Sequence, residues 1–139
     1  RVPETGSSGD SFYITRQQAD RRRVSNYDVI KPILDDFGVE PVYCENLSLR
    51  EQIQLFKSAD CIIGPHGAGL TNMVWGTDVT VLEIFNGVVQ PPYNILAHIL
   101  GHEYSAIAST QVDNPSDRNE DITVDIEEFE RGIQRLVDR

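Results

Sequence analysis

Residues 59–72 read Ala-Asp-Cys-Ile-Ile-Gly-Pro-His-Gly-Ala-Gly-Leu-Thr-Asn, and no other stretch restricts the fold so strongly. Cys61, Ile62 and Ile63 form a short apolar run of the kind that fills a buried parallel strand. The run stops at Gly64-Pro65, and Gly67 and Gly69 flank a turn leading into Leu70-Thr71-Asn72-Met73-Val74-Trp75. This pattern predicts a strand, a glycine-rich corner and a helix start. Such a corner presents backbone N–H groups at the positive end of a helix dipole, which suits phosphate. Glycine lets the backbone approach an anion with no Cβ in the way. Because α/β domains also use glycine there simply to turn the chain, the corner gains meaning only from what lies around it.

The rest of the chain supplies that context. Ser11–Thr15 is rich in aromatic and β-branched residues and reads as the first strand. After the polar run 16–23, a helix is expected to start near Ser25 or Asn26, both good N-caps, with Val29, Ile30, Ile33, Leu34 and Phe37 as its apolar stripe and Gly38 as its stop. Pro32 inside that stripe predicts a kink or a late start. Val39–Cys44 is the second strand. Ser48-Leu49-Arg50-Glu51 is a capping box opening a helix whose apolar face is Leu49, Ile53, Leu55 and Phe56. Beyond the corner, Thr80–Phe85 is a fourth strand and Tyr93–Leu100 a helix after Pro91-Pro92, ending at Gly101. Tyr104–Ala108 is a short strand, 111–121 a polar loop, and Ile126–Val137 a final amphipathic helix.

Strict alternation of this kind implies a parallel sheet of about five strands with right-handed crossovers and helices on both faces. Ligands of such sheets sit beyond the carboxyl ends of the strands. Arg16, Glu45, residues 64–69 and Phe85-Asn86 all fall at those ends, which lifts the glycine corner above chance.

Composition narrows the partners. The chain has 139 residues and a formal net charge of −10. That charge argues against nucleic acid, whose phosphates need a basic footprint. No run of about 18 apolar residues is present to span a membrane. Residues 1–10 read as a linker or fragment start, and 11–139 as one domain. Only two lysines stand against ten arginines, and the acids crowd the tail. An acidic surface poor in lysine is one route to solubility in high salt, and a simply acidic protein is the plainer alternative. Cys44 and Cys61 lie in apolar, strand-like segments and are expected as reduced core residues.

Arg16, Arg21, Arg22 and Arg23 form the only dense basic cluster. The planar guanidinium fork suits phosphate oxygens. Arg16 stands at the end of the first strand, and either Arg22 or Arg23 can reach the same edge; Arg21 is expected in solvent. His66 opens the corner as a phosphate or sugar donor, an acid or base, or a loop pin. His98 and His102 have metal-ligand spacing, but no H-E-x-x-H carboxylate accompanies them and Gly101 intervenes, so no metal site is expected. Glu83 is an acid inside an apolar strand and needs partners there.

These residues, in order, resemble a known pattern. Tyr13-Ile14-Thr15-Arg16, Ala19, Arg22-Arg23, Asn26, Glu45, Leu47-Ser48-Leu49, Glu51-Gln52, Leu55-Phe56 and Ala59 lead into 63–72 and Val81-Leu82-Glu83-Ile84. The set resembles the glycosyltransferase family 61 domain, also found in capsular polysaccharide biosynthesis proteins, over roughly residues 12–105. The resemblance implies the C-terminal, donor-binding half of an inverting GT-B enzyme with Rossmann-like domains, using a nucleotide-diphosphate sugar as donor and neither cofactor nor metal. It implies a glycan or other acceptor held by a preceding domain, and a cytoplasmic location, with the inner face of the membrane as an alternative. Mapped onto this chain, Arg16 with Arg22 or Arg23 contacts the diphosphate. His66, Gly67, Ala68, Gly69, Leu70, Thr71 and Asn72 cradle it, and Glu83 and Glu45 serve the ribose or support the loop. The catalytic base stays unassigned. Tyr27 stands where the family has an acid, and the Trp75–Asp78 segment is shorter than usual. Two other readings use the same pocket: a non-catalytic nucleotide- or phosphometabolite-binding module, and a nucleotide-sugar-modifying enzyme such as an epimerase.

Overall fold

Strands rich in Ile, Val and Phe, each followed by a helix with one apolar stripe, leave both sheet faces to be covered. The computed structural model, which describes residues 10–109, 117 and 119–137, shows that arrangement. Strands β1 (Asp10–Ile14), β2 (Glu40–Val42), β3 (Ala59–Pro65), β4 (Thr80–Phe85) and β5 (Glu103–Ala108) pair in parallel in the order β2-β1-β3-β4-β5. Alternation along β1 sends Tyr13 to one face and Phe12 and Ile14 to the other. On the first face, α1 (Tyr27–Asp36) and α4 (Ile126–Val137) bury Ile30, Leu34, Phe129 and Ile133 against Ile63, Leu82 and Ile84. On the second, α2 (Leu49–Phe56), α3 (Pro92–Leu100) and a 3-10 helix (Ala68–Trp75) bury Phe56, Ala97, Leu70 and Met73 against Phe12, Ile62 and Val81.

The order places a topological switch at the centre of the sheet. From β1 the chain steps outward to β2, crosses back, and from β3 steps the other way to β4 and β5. Connections leaving the carboxyl ends of β1 and β3 therefore diverge and open a crevice between them. The loop after Ile14 and the corner after Pro65 face each other across it.

Several local expectations shift. The helix after the corner is 3-10 rather than α and begins at Ala68. Strand β2 stops at Val42, and Cys44 lies in a short 3-10 turn, Cys44–Asn46, half-buried rather than in a strand. Its thiol pKa is pushed up to about 11, first by burial and then by Glu45. Cys61 is buried as expected, and both thiols are free. Helix α1 runs through Pro32, which is exposed near its middle. Asn26 occupies the N-cap position without capping. Its side chain instead pairs with Val124, donating from Nδ2 to the carbonyl (2.8 Å) and accepting the Val124 N–H at Oδ1 (3.0 Å). The polar loop expected over 111–121 and the linker over 1–10 lie largely outside the described residues.

The capping box of α2 forms in full: the Glu51 N–H donates to Ser48 Oγ (3.1 Å) and the Ser48 N–H to Glu51 Oε1 (2.8 Å). The Ser48 backbone N–H on the carboxylate, and after it the Ser48 hydroxyl, hold the Glu51 carboxyl below its ordinary pKa. Leu49, expected on the apolar face, is 66% exposed, because the helix has only begun there and its buried anchor is Phe56. Ser48→Ala should lower stability by about 1 kcal/mol in urea denaturation, the usual value of such a cap.

Candidate functional site

The loop after β1 is folded back on itself by Gln17. Its Oε1 accepts the Val24 N–H (2.9 Å) and its Nε2 donates to the Val24 carbonyl (3.2 Å). The far side of the loop is tied to a parallel bridge between Val24 and Ile122. Within it Arg22 adopts a left-handed backbone, φ 55°, uncommon for a residue with a side chain and frequent at functional loops. The fold-back brings Arg16 and Arg22 to the end of β3.

Arg22 Nε donates to the His66 carbonyl (3.0 Å) and Nη1 to Asn119 Oδ1 (3.0 Å). Arg16 donates from Nε (3.3 Å) and Nη2 (3.0 Å) to the Arg21 carbonyl. Its Nη1 lies directly over Gly67, where a Cβ would come within 2.5 Å of it. The backbone of Gly67 is extended, so glycine is needed at that position for space, not for an unusual φ. Neither guanidinium forms an ion pair among the described residues. Burial and then the neighbouring arginines depress both pKa values: Arg22 and Arg21 act on Arg16, and Arg21 acts on Arg22. Two cations thus sit close together, partly out of water, with donor groups to spare. An anion in the crevice would stabilise both.

His66 packs against two rings, stacked on Phe85 with centroids 5.6 Å apart and tilted against Tyr93 at 5.3 Å. Its Nδ1 is 2.6 Å from Glu83 Oε2, and the other carboxylate oxygen accepts the Tyr104 hydroxyl at 2.5 Å. Glu83 is wholly buried in β4. Burial raises its pKa, opposed by the hydrogen bonds from Tyr104 and His66. Burial and then the carboxylate raise the Tyr104 pKa.

The remaining expected residues divide. Ala68 and Thr71 are exposed on the first turns of the 3-10 helix. Like any helix, it leaves its first backbone N–H groups without intrahelical acceptors. Leu70 turns its side chain into the core and donates its N–H to the Gly67 carbonyl (3.1 Å). Asn72 is buried and holds the corner from behind: Nδ2 donates to Gln52 Oε1 (3.0 Å) and to the Gly69 carbonyl (3.0 Å), while Oδ1 accepts from Trp75 Nε1 (3.1 Å). Arg23 faces away, 3.9 Å from Asp121. Glu45 is exposed in the turn after β2, near enough to offset part of the depression of the Arg16 pKa. His102 is a structural pin, accepting the Val79 N–H at Nδ1 (3.1 Å) and donating from Nε2 to the Met73 carbonyl (2.8 Å). Among the described residues no group of three or more metal-ligating side chains comes together.

Tyr93 and Tyr104 were not singled out from sequence, and Phe85 only as a strand end at the carboxyl edge. For Tyr93 a signal existed: Pro91-Pro92 opens α3 immediately after β4, so its first turn stands at the carboxyl edge. Tyr104 gave none, since it meets Glu83 diagonally across the β4–β5 register, in which Val81 pairs with Tyr104 and Glu83 with Ala106.

The sequence is similar to those of known glycosyltransferases. The Glycosyltransferase 61 family model matches residues 5–82, more than half of the chain. Beta-1,2-xylosyltransferases of Oryza sativa subsp. japonica and Arabidopsis thaliana are each 38% identical over 64 residues, 45% of this chain and 12% of the relative. An EGF domain-specific O-linked N-acetylglucosamine transferase of Drosophila melanogaster is 26% identical over 108 residues, 76% of this chain and 21% of the relative. The chain thus spans between an eighth and about a fifth of the length of these relatives. With the family model covering β1 through the corner and into β4, the chain belongs to glycosyltransferase family 61.

Proposed function

We propose that this chain is the donor-binding half of an inverting GT-B glycosyltransferase, and that the crevice between β1 and β3 holds the diphosphate of a nucleotide sugar. One observation supports this above the rest. In a protein of net charge −10, Arg16 and Arg22 converge on the His66–Gly67 corner at the topological switch, with no carboxylate paired to either among the described residues. In this reading Arg16 Nη1, which lies over Gly67, and the backbone N–H groups at the start of the 3-10 helix bind the phosphates. The departing diphosphate gains negative charge as the sugar leaves, and preorganised donors stabilise that charge without a metal. The names of the relatives make xylose and N-acetylglucosamine the first donor sugars to try. In this proposal the acceptor is a glycan of polysaccharide or capsule biosynthesis. The catalytic base and acceptor site belong to a second domain, so residues 1–139 alone transfer no sugar: half a cleft neither orients acceptor nor excludes water.

Arg16→Ala should weaken uridine diphosphate binding by about 1.5–3 kcal/mol, the worth of hydrogen bonds to a charged group. Calorimetric titration of the two proteins measures it, and equal affinities would remove Arg16 from the site. Transfer of radiolabelled xylose or N-acetylglucosamine by a protein with the full length of the relatives tests the activity. Binding of nucleotide by that longer protein with no transfer to any glycan would favour a binding module instead.

A further inference from the structure

We propose that Glu83 and Tyr104 are positioning residues that fix a proton on Nδ1 of His66 and leave Nε2 as the nitrogen presented to the ligand. A contact of 2.6 Å between Nδ1 and Oε2 joins two atoms that both carry lone pairs unless a proton lies between them. Tyr104 favours the ring as its source, because a hydroxyl donated to Glu83 stabilises the charged carboxylate over the neutral acid. A phenol hydroxyl facing a carboxylate donates, so Oε1 is already an acceptor, and the 2.5 Å separation falls in the range of a charge-assisted bond. Glu83 is fully buried in β4, with no arginine or lysine paired to it among the described residues. A buried carboxylate requires donors on both oxygens. The second donor is the ring N–H of His66. Phe85 and Tyr93 both pack against the imidazole, and Arg22 holds the His66 carbonyl, which limits how the ring can turn. Among the described residues Nε2 has no partner of its own.

The charged groups around the ring give the arrangement its use. Glu83 and, behind it, Tyr104 lie on the Nδ1 side, in β4 and β5. Arg22 on the His66 carbonyl and Arg16 over Gly67 come from the loop after β1, and Tyr93 comes from α3. When Nε2 donates to a phosphate oxygen, having taken its proton from solvent, the ring becomes an imidazolium and Glu83 balances its charge from behind. This step rests on the diphosphate reading above, whereas the placement of the Nδ1 proton does not.

Imidazole nitrogen spectra of the 15N-labelled protein test both, read where the two ring nitrogens have the unequal shifts of a neutral ring. The wild-type spectrum should place the His66 proton on Nδ1. In Glu83→Gln the Tyr104 hydroxyl retains the amide oxygen and turns the amide NH2 toward Nδ1, so the proton should move to Nε2. Removing the hydroxyl as well, in Tyr104→Phe/Glu83→Gln, frees the amide to turn and should return part of the population to Nδ1. A wild-type proton on Nε2 overturns the proposal even if neither variant folds. An unchanged tautomer in Glu83→Gln also overturns it, and an unchanged ratio in the double variant removes Tyr104. In parallel, uridine diphosphate should bind Glu83→Gln roughly five- to tenfold more weakly at neutral pH, the gap between charge-assisted and neutral hydrogen bonds. Equal binding alongside a moved proton would contradict the link from Glu83 to the ligand. No binding to wild type with the proton on Nδ1 would refute the donor reading while upholding the proton placement.

Discussion

Phe56→Ala should cost about 3–5 kcal/mol of folding stability, the range for truncating a buried aromatic side chain. Phe56 closes α2, is fully buried, and meets Phe12 of β1 edge to face with ring centroids 5.5 Å apart. Truncation would remove most of the anchor that seats α2 on the sheet, since Leu49 at the other end of the helix is exposed. The loss is a large share of a typical 5–15 kcal/mol total. It should also reach the site. Helix α2 carries Gln52, whose Oε1 holds Asn72 and through it the Gly69 carbonyl, so the corner loses its rear support as α2 loosens. Chemical denaturation gives the stability, and a change under 1 kcal/mol would contradict this packing account.

Gly64→Val should cost about 3 kcal/mol, at the upper end for overpacking a core. Gly64 lies in β3 beside the end of β1, and a Cβ there would stand 2.9 Å from the Ile14 carbonyl oxygen and 3.2 Å from Ile14 Cβ. The first obstacle is backbone, which cannot rotate aside, and valine adds two methyl groups beyond the Cβ. The strands would part at the switch point, where the site opens. Gly67→Ala offers a contrast within the same corner, because its first obstacle is the far end of the Arg16 side chain rather than backbone. Denaturation midpoints of the two variants compare them directly, and a Gly64→Val protein as stable as wild type would contradict the register between β1 and β3.

The element order was legible because each strand and helix announces itself locally. The Ser48–Glu51 capping box, the Pro91-Pro92 helix start and the apolar run 61–63 need no distant partner to be recognised. What escaped sequence reading depends on contacts between segments far apart in the chain. Asn26 looked like a cap because asparagine serves that role locally, yet Val124, nearly a hundred residues on, claims its amide. The preference between Arg22 and Arg23 follows from one left-handed residue, which aims Arg22 at His66 and Arg23 at Asp121. Glu83 was recognised as needing partners, and His66 was recognised as a candidate, but their pairing arises from the register of β3 on β4, with Gly64 opposite Glu83. Asn72 belongs to the same motif as Gly67, and the motif alone does not say that its side chain turns inward.

The central claim is that the crevice between β1 and β3 reads phosphate. Backbone amide NMR of the chain, titrated in parallel with uridine diphosphate and with uridine, tests it most directly, because shifts report even weak binding by residue. Uridine diphosphate should shift Arg16, Arg22 and residues 66–69, with the response fading as salt is raised, as contacts between exposed charges do. Uridine, lacking the phosphates, should leave those amides unmoved. Equal shifts from the two ligands, or uridine diphosphate shifts confined to β5 and α4, would contradict the account.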